Sequence, residues 1–204
     1  MSYIFPSIEL IAALIGTWHY RKLSQWHEKL FLGLLWLTFL VELVQPLMND
    51  LANIQIPWVY PVFTVMSFLF YFYWYHTVLR TKVAKRFVWV LALLYLAVTL
   101  YIEYHKELYG GKGYAFVTAS IGILSLACLH FYQLLRADWV LVVKHRLEFW
   151  VSTALLLFYI GILPLMLLSE YLGVEDLGYF IVLVSLNIIL YGCYSIGFIW
   201  MNNK

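Results

Sequence analysis

LFLGLLWLTFLVELV, residues 30–44, carries only two polar side chains, Thr38 and Glu42, in its whole length. Its apolar residues occupy every helical face and show none of the in/out alternation of a barrel strand. In lipid a backbone satisfies its hydrogen bonds only as a helix or a closed barrel. This stretch is therefore a transmembrane helix, and the rest of the chain repeats its character.

Of the 204 residues, 64% are hydrophobic and 12% charged. A water-soluble domain carries about a quarter charged residues, so an aqueous globular fold is excluded. Set against the roughly 20 residues that cross a ~30 Å hydrocarbon core, the apolar runs place spans near 2–18, 30–48, 58–79, 87–103, 114–135, 147–169 and 179–200. The expected fold is an all-α integral membrane protein, a single seven-helix bundle covering 1–204.

The first run has no basic leader, holds Glu9, and is followed by Arg21 and Lys22 where a signal peptide would show small residues for cleavage. It reads as a retained span. Lysine and arginine then orient the bundle. Arg21, Lys22, Lys29, Arg80, Lys82, Lys85, Arg86, Arg136, Lys144, Arg146 and Lys204 fall on one side, and Lys106 and Lys112 on the other with Asp50, Glu107, Glu170, Glu175 and Asp176. The basic side is cytoplasmic, giving an outside N-terminus, a cytoplasmic C-terminus and a multi-pass protein of a bacterial inner membrane. Connections this short leave no room for a soluble catalytic domain. The net charge of +2 describes loops beside anionic lipid and gives no sign of nucleic-acid binding. No internal repeat of the inverted-transporter kind is visible. Cys128 and Cys193 read as small packing residues.

Function must come from the polar residues inside the spans, because a carboxylate near the bilayer centre costs about 2.5–3.5 kcal/mol on insertion scales and turns toward the bundle interior. At about 1.5 Å rise per residue, Glu9 and Glu42 lie ~10 and ~9 Å below the outer ends of their spans. Thr38, Glu42, Gln45 and Asn49 form one stripe, and Glu9 shares a face with Ala12, Ala13 and Gly16, whose small size permits close helix approach. Asn187, Tyr191, Tyr194 and Ser195 repeat the pattern on the seventh span, Thr118, Gly122 and Ser125 on the fifth, and Tyr159 with Pro164 on the sixth. With Tyr60 at the outer mouth, these residues suggest an outward-facing polar cavity for a small molecule or cation. The other reading is interhelical hydrogen bonding that holds the bundle together.

A second group, His76, His130, Gln133, Arg136 and Glu148, is expected near the cytoplasmic face. Histidine titrates near neutrality, which suggests a switch; charge pairs at helix ends are the plainer account. No H-x-x-H, H-E-x-x-H or C-x-x-C spacing occurs, so no metal motif is expected, and haem ligation by His76 and His130 has no motif behind it. The seventh span holds no lysine for a retinal Schiff base, so no cofactor is expected. Phe70 to Tyr75 read as an interfacial aromatic belt, with a cation cage as the sharper alternative.

RLEFWVSTALLLFYIGILPL (146–165), with Phe149, Trp150, Tyr159 and Gly161, LNIILYGCYSIGFIW (186–200), with Asn187, Tyr191 and Phe198, and PWVYPVFTVMSFLFYFYWY (57–75) together resemble small heptahelical membrane proteins of Bacteroidetes-type bacteria. These are similar to the sensory membrane modules that precede some histidine-kinase domains. The resemblance covers most of the chain from Pro57 onward. It implies a sensory role and carries no catalytic residues. This chain departs from those modules by ending at Lys204, so any output is expected to pass to a separate partner or be absent; a cytoplasmic signalling partner or a homo-oligomer is the expected association. The expected function is thus a stand-alone sensor-like or ligand-binding membrane protein. The alternatives are a proton- or cation-coupled transporter or channel using the intramembrane carboxylates, and a lipid-modifying enzyme.

Overall fold

The computed structural model describes residues 3–52, 56–105, 113–136, 140–167 and 177–201. Lys106, Glu107, Lys112, Glu170, Glu175, Asp176 and Lys204, all part of the charge argument, lie outside them. Among the described residues there are seven α-helices and no strand: α1 Ile4–Trp18, α2 Trp26–Ala52, α3 Val59–Val78, α4 Lys82–Tyr104, α5 Tyr114–Leu135, α6 Leu147–Leu167 and α7 Leu177–Trp200. Short 3-10 turns at Tyr20–Lys22 and Val140–His145 precede α2 and α6. Each helix overlaps one expected span, and α2 and α4 run several residues beyond theirs at the basic end.

Five helices, α2, α4, α5, α6 and α7, are long and apolar enough to cross a membrane, consistent with a multi-pass membrane protein. The first helix is apolar but has 15 residues, about 22 Å at 1.5 Å per residue. The third has 20 residues, but Tyr60, Tyr71, Tyr73, Trp74, Tyr75 and His76 dilute its hydropathy. Large apolar side chains such as Ile11, Leu93, Leu100, Ile121, Ile160 and Ile188 are more than half exposed, which suits a surface that meets lipid.

Consecutive helices pack against one another and α7 returns to α1, closing the ring, while α3 also touches α5. Phe31, Phe68, Phe72, Trp74, Tyr75, Ile123, Leu155, Tyr194 and Phe198 fill the interior. Small residues set the helix spacing. A Cβ at Gly16 on α1 would meet Leu32 Cδ1 at 2.7 Å, and one at Gly197 on α7 would meet Trp150 Cβ at 2.8 Å. Ala12 and Ala13 are fully buried beside Gly16.

Polar contacts fix which helix ends lie together. At one end Tyr3 donates to Asp50 Oδ2 (2.9 Å) and Phe5 meets Phe180 edge-on. At the other, Lys22 Nζ donates to the Ile199 carbonyl (3.2 Å), His145 contacts the Trp200 carbonyl (3.0 Å), and Gln133 Oε1 accepts from the Arg80 N–H (3.0 Å). The basic residues of the described segments belong to this second end. Pro46 in α2 and Pro164 in α6 remove the helical bonds to the Glu42 and Ile160 carbonyls.

Candidate functional site

Two polar regions interrupt the apolar interior. The first surrounds Glu9. Its side chain is buried at 2% exposure because the small residues of α1 bring α7 close. Tyr191 on α7 donates its hydroxyl to Glu9 Oε1 at 2.9 Å. Glu9 Oε2 is buried with no hydrogen-bond partner among the described residues. Glu42 on α2 is half-buried and near enough for its charge to act on Glu9, and both charges reach Tyr60. Deeper in, Tyr71 and Tyr194 share a hydrogen bond of 3.2 Å, and the Tyr191 and Tyr194 rings meet edge-on at 5.8 Å.

The other residues expected around this acid pair are spread more widely. Gln45 donates to the Ile56 carbonyl at 3.3 Å and lines a cavity of about 220 Å³ whose other walls are Leu40, Val41, Val44, Met48, Ile56 and Val59. Thr118 and Asn187 bond to carbonyls one turn back on their own helices, those of Tyr114 and Leu183. Tyr159 is buried among Phe68, Phe116 and Phe158. Tyr60 remains 39% exposed at the start of α3. The structure thus joins Glu9 to Tyr191 by a hydrogen bond, keeps Glu42 and Tyr60 within electrostatic reach of Glu9, and leaves Gln45, Thr118, Tyr159 and Asn187 apart.

The second region lies at the basic end. A cavity of about 250 Å³ is walled by Gln25 just before α2 and His27 within it, Thr77 and Val78 of α3 with Arg80 after it, His130, Gln133 and Leu134 of α5, Val143 and Arg146 before α6, and Glu148 and Phe149 of α6. Gln133 ties α5 to the α3–α4 connection: it accepts from Arg80 N–H and donates to Thr81 Oγ1 (3.2 Å), which also caps α4 through the Ala84 N–H. His130 is buried, with Nδ1 2.8 Å from Ser152 Oγ on α6. Arg146 Nη2 lies 3.2 Å from Glu148 Oε1, and His27 Nε2 lies 4.0 Å from the same oxygen. The His27 ring rests edge-on against buried Trp74 at 5.0 Å.

Three of the expected cytoplasmic-side residues, His130, Gln133 and Glu148, therefore share one cavity. His76 departs from that expectation: it turns to the α3–α4 side, edge-on to Trp89 at 5.6 Å, in an apolar groove with Leu69 and Phe72. Arg136 lies over the Tyr132 ring at 4.6 Å. His27, Glu28, Arg80, Arg146 and Ser152 were not singled out as site residues by sequence reasoning. A signal was available for Ser152 alone, because Glu148, Ser152 and Tyr159 recur at i, i+4 and i+11 on an otherwise apolar helix.

Beside the cavity, His27, Glu28 and Glu148 each present one potential ligand atom, all within 4.8 Å of one another. Glu28 is buried, and its Oε2 accepts from the Ser24 and Gln25 N–H groups at 2.9 and 3.0 Å, the backward half of a capping box. Both cysteines are free thiols, Cys128 exposed and Cys193 half-buried. Comparison with protein-family models, curated proteins and solved structures found no match to this chain. The functional reading therefore rests on geometry.

Proposed function

We propose that the chain is a seven-span protein of a bacterial inner membrane, N-terminus outside and C-terminus in the cytoplasm, and that it acts as a sensor-like, ligand-binding protein. The observation that carries this reading is the 250 Å³ cavity at the basic end. It gathers imidazole, guanidinium, amide and carboxylate groups from four helix ends into one recess, whereas the cavity beside Gln45 is otherwise apolar. Arg21, Lys22, Arg80, Lys82, Lys85 and Arg146 all belong to that end, which supports a cytoplasmic assignment. A small polar molecule suits its volume and lining.

A ligand shifts a conformational equilibrium only through different affinities for its two states. Groups from α2, α3, α5 and α6 line the recess, so a change in their relative positions alters every contact to the ligand. The same change moves the basic connections where a cytoplasmic partner would read it. The resemblance to sensory modules of histidine kinases agrees with this.

The test is a thermal-shift screen of purified protein against polar metabolites and ions, repeated on Leu134→Trp, which puts an indole in the recess. Ligands that raise the wild-type melting temperature and lose their effect in the variant support the proposal. No shift across the screen would count against it.

Proton- or cation-coupled transport is the second reading. It is favoured by Glu9 Oε2, buried without a hydrogen-bond partner among the described residues and close to Glu42. Flux in proteoliposomes that is abolished by Glu9→Gln would select it; absence of flux under imposed gradients would remove it.

A further inference from the structure

The cluster at the starts of α2 and α6 shares His27 and Glu148 with the cavity wall and adds Glu28 to them. His27 and Glu28 are consecutive on α2, and Glu148 comes from α6. Both carboxylates are buried, Glu28 at 3% and Glu148 at 6% exposure. Taking charged groups out of water is costly unless they are paired, and beside this imidazole and two carboxylates stand Arg146, on Glu148, and Lys22 at the border of the cluster.

The ion pairs at Glu148 are long. Arg146 reaches it at 3.2 Å and His27 at 4.0 Å, against the 2.7–2.9 Å of a charge-assisted hydrogen bond. The helix cap uses Oε2 of Glu28. Metal–nitrogen and metal–oxygen bonds of about 2.0–2.2 Å put neighbouring ligand atoms of a tetrahedral site about 3.3 Å apart. The three donors lie within 4.8 Å of one another, so side-chain adjustments of roughly 1 Å would close them on an ion.

We propose that His27, Glu28 and Glu148 form a binding site for a divalent transition-metal cation of the zinc or cobalt class. One imidazole and two carboxylates suit a borderline ion of this kind, whereas calcium takes six to eight oxygens. His27 and Glu148 also wall the cavity, so the ion sits at its edge with room for water in a further coordination position. Lys22 borders the same cluster, and Arg146 contacts Glu148 directly. Arg146 therefore competes with the metal, and binding displaces it from Glu148. This proposal stands apart from the ligand reading: the site holds metal whether or not the cavity binds a metabolite.

The experiment uses the full chain purified in detergent, stripped with a chelator and titrated with Co²⁺, then Zn²⁺. One Co²⁺ per chain is expected, with visible d–d absorption that Zn²⁺ abolishes. His27→Ala and Glu148→Gln should weaken binding at least tenfold, His76→Ala should not, and Arg146→Gln should tighten it. Melting curves of each metal-free variant establish that it is folded, and the wild-type spectrum requires no variant. Absence of saturable binding to wild type, affinity unchanged in both folded ligand variants, or binding weakened by Arg146→Gln would overturn the proposal. A polar-ligand thermal shift retained in metal-free protein would show that the cavity reading survives such a failure.

Discussion

Tyr191 and Glu9, 182 positions apart in the chain, meet at 2.9 Å inside the bundle and fasten the last helix to the first. The bond lies where α7 closes the ring against α1, so it joins a local chemical requirement to the topology. A buried acid in apolar surroundings needs a donor, and the ring closure supplies one.

Removing that donor should therefore cost stability. Interhelical hydrogen bonds within membranes contribute about 0.6 kcal/mol on average and up to about 1.7, and a bond to a buried carboxyl belongs at the upper end. Tyr191→Phe should lower the unfolding free energy by about 1–2 kcal/mol. Because leaving one buried partner alone costs more than removing both, the double variant Glu9→Leu/Tyr191→Phe should be more stable than the sum of its single variants predicts. A double-mutant cycle read by unfolding in mixed detergent measures this, and an additive result would show that the two residues do not interact.

Helix spacing gives a contrast between two glycines on one helix. A Cβ at Gly197 would lie 2.8 Å from Trp150 Cβ, next to a backbone that cannot swing away, whereas at Gly192 it would meet nothing within 4 Å. Overpacking of this kind costs about 1–3 kcal/mol. Gly197→Ala should lower the melting temperature, and Gly192→Ala should leave it unchanged or raise it through helix propensity. Equal effects at both positions would contradict the packing of α6 on α7.

At the basic end, Ser152 holds His130 across the α5–α6 contact at 2.8 Å. Ser152→Ala should leave the ring nitrogen without its partner and loosen the cavity wall. The expected result is a loss of about 1 kcal/mol with faster amide exchange at the ends of α5 and α6. A variant as stable and as protected as wild type would show that the pair does not set the cavity.

Much of the fold was legible because a membrane span is an unbroken apolar run, which reads without knowledge of its neighbours. The small-residue face of α1 and the burial of Glu9 followed from the same one-helix reasoning. Facing across helices did not. His76 and Thr77 are adjacent at the basic end of α3, yet Thr77 lines the cavity and His76 meets Trp89 on α4, because ring position decides which side of a helix meets which neighbour. His27 and Glu28 escaped notice since a polar pair at a helix start resembles ordinary capping, and only the approach of α6 brings Glu148 to them. Gln45, Thr118 and Asn187 sit on sequence stripes but each donates to a nearby carbonyl, which a helical wheel does not reveal.

The central claim, a polar site at the cytoplasmic end of an N-out membrane bundle, is tested most directly by sided labelling. With Cys128 and Cys193 replaced by serine, single cysteines at Thr77, on the cavity wall, and at Tyr60, at the other end of α3, are exposed to a membrane-impermeant maleimide in vesicles of each orientation. Labelling of Thr77→Cys only in inside-out vesicles and of Tyr60→Cys only in right-side-out vesicles is the predicted result. Labelling of Thr77→Cys from the outer side, or from neither side, would contradict it.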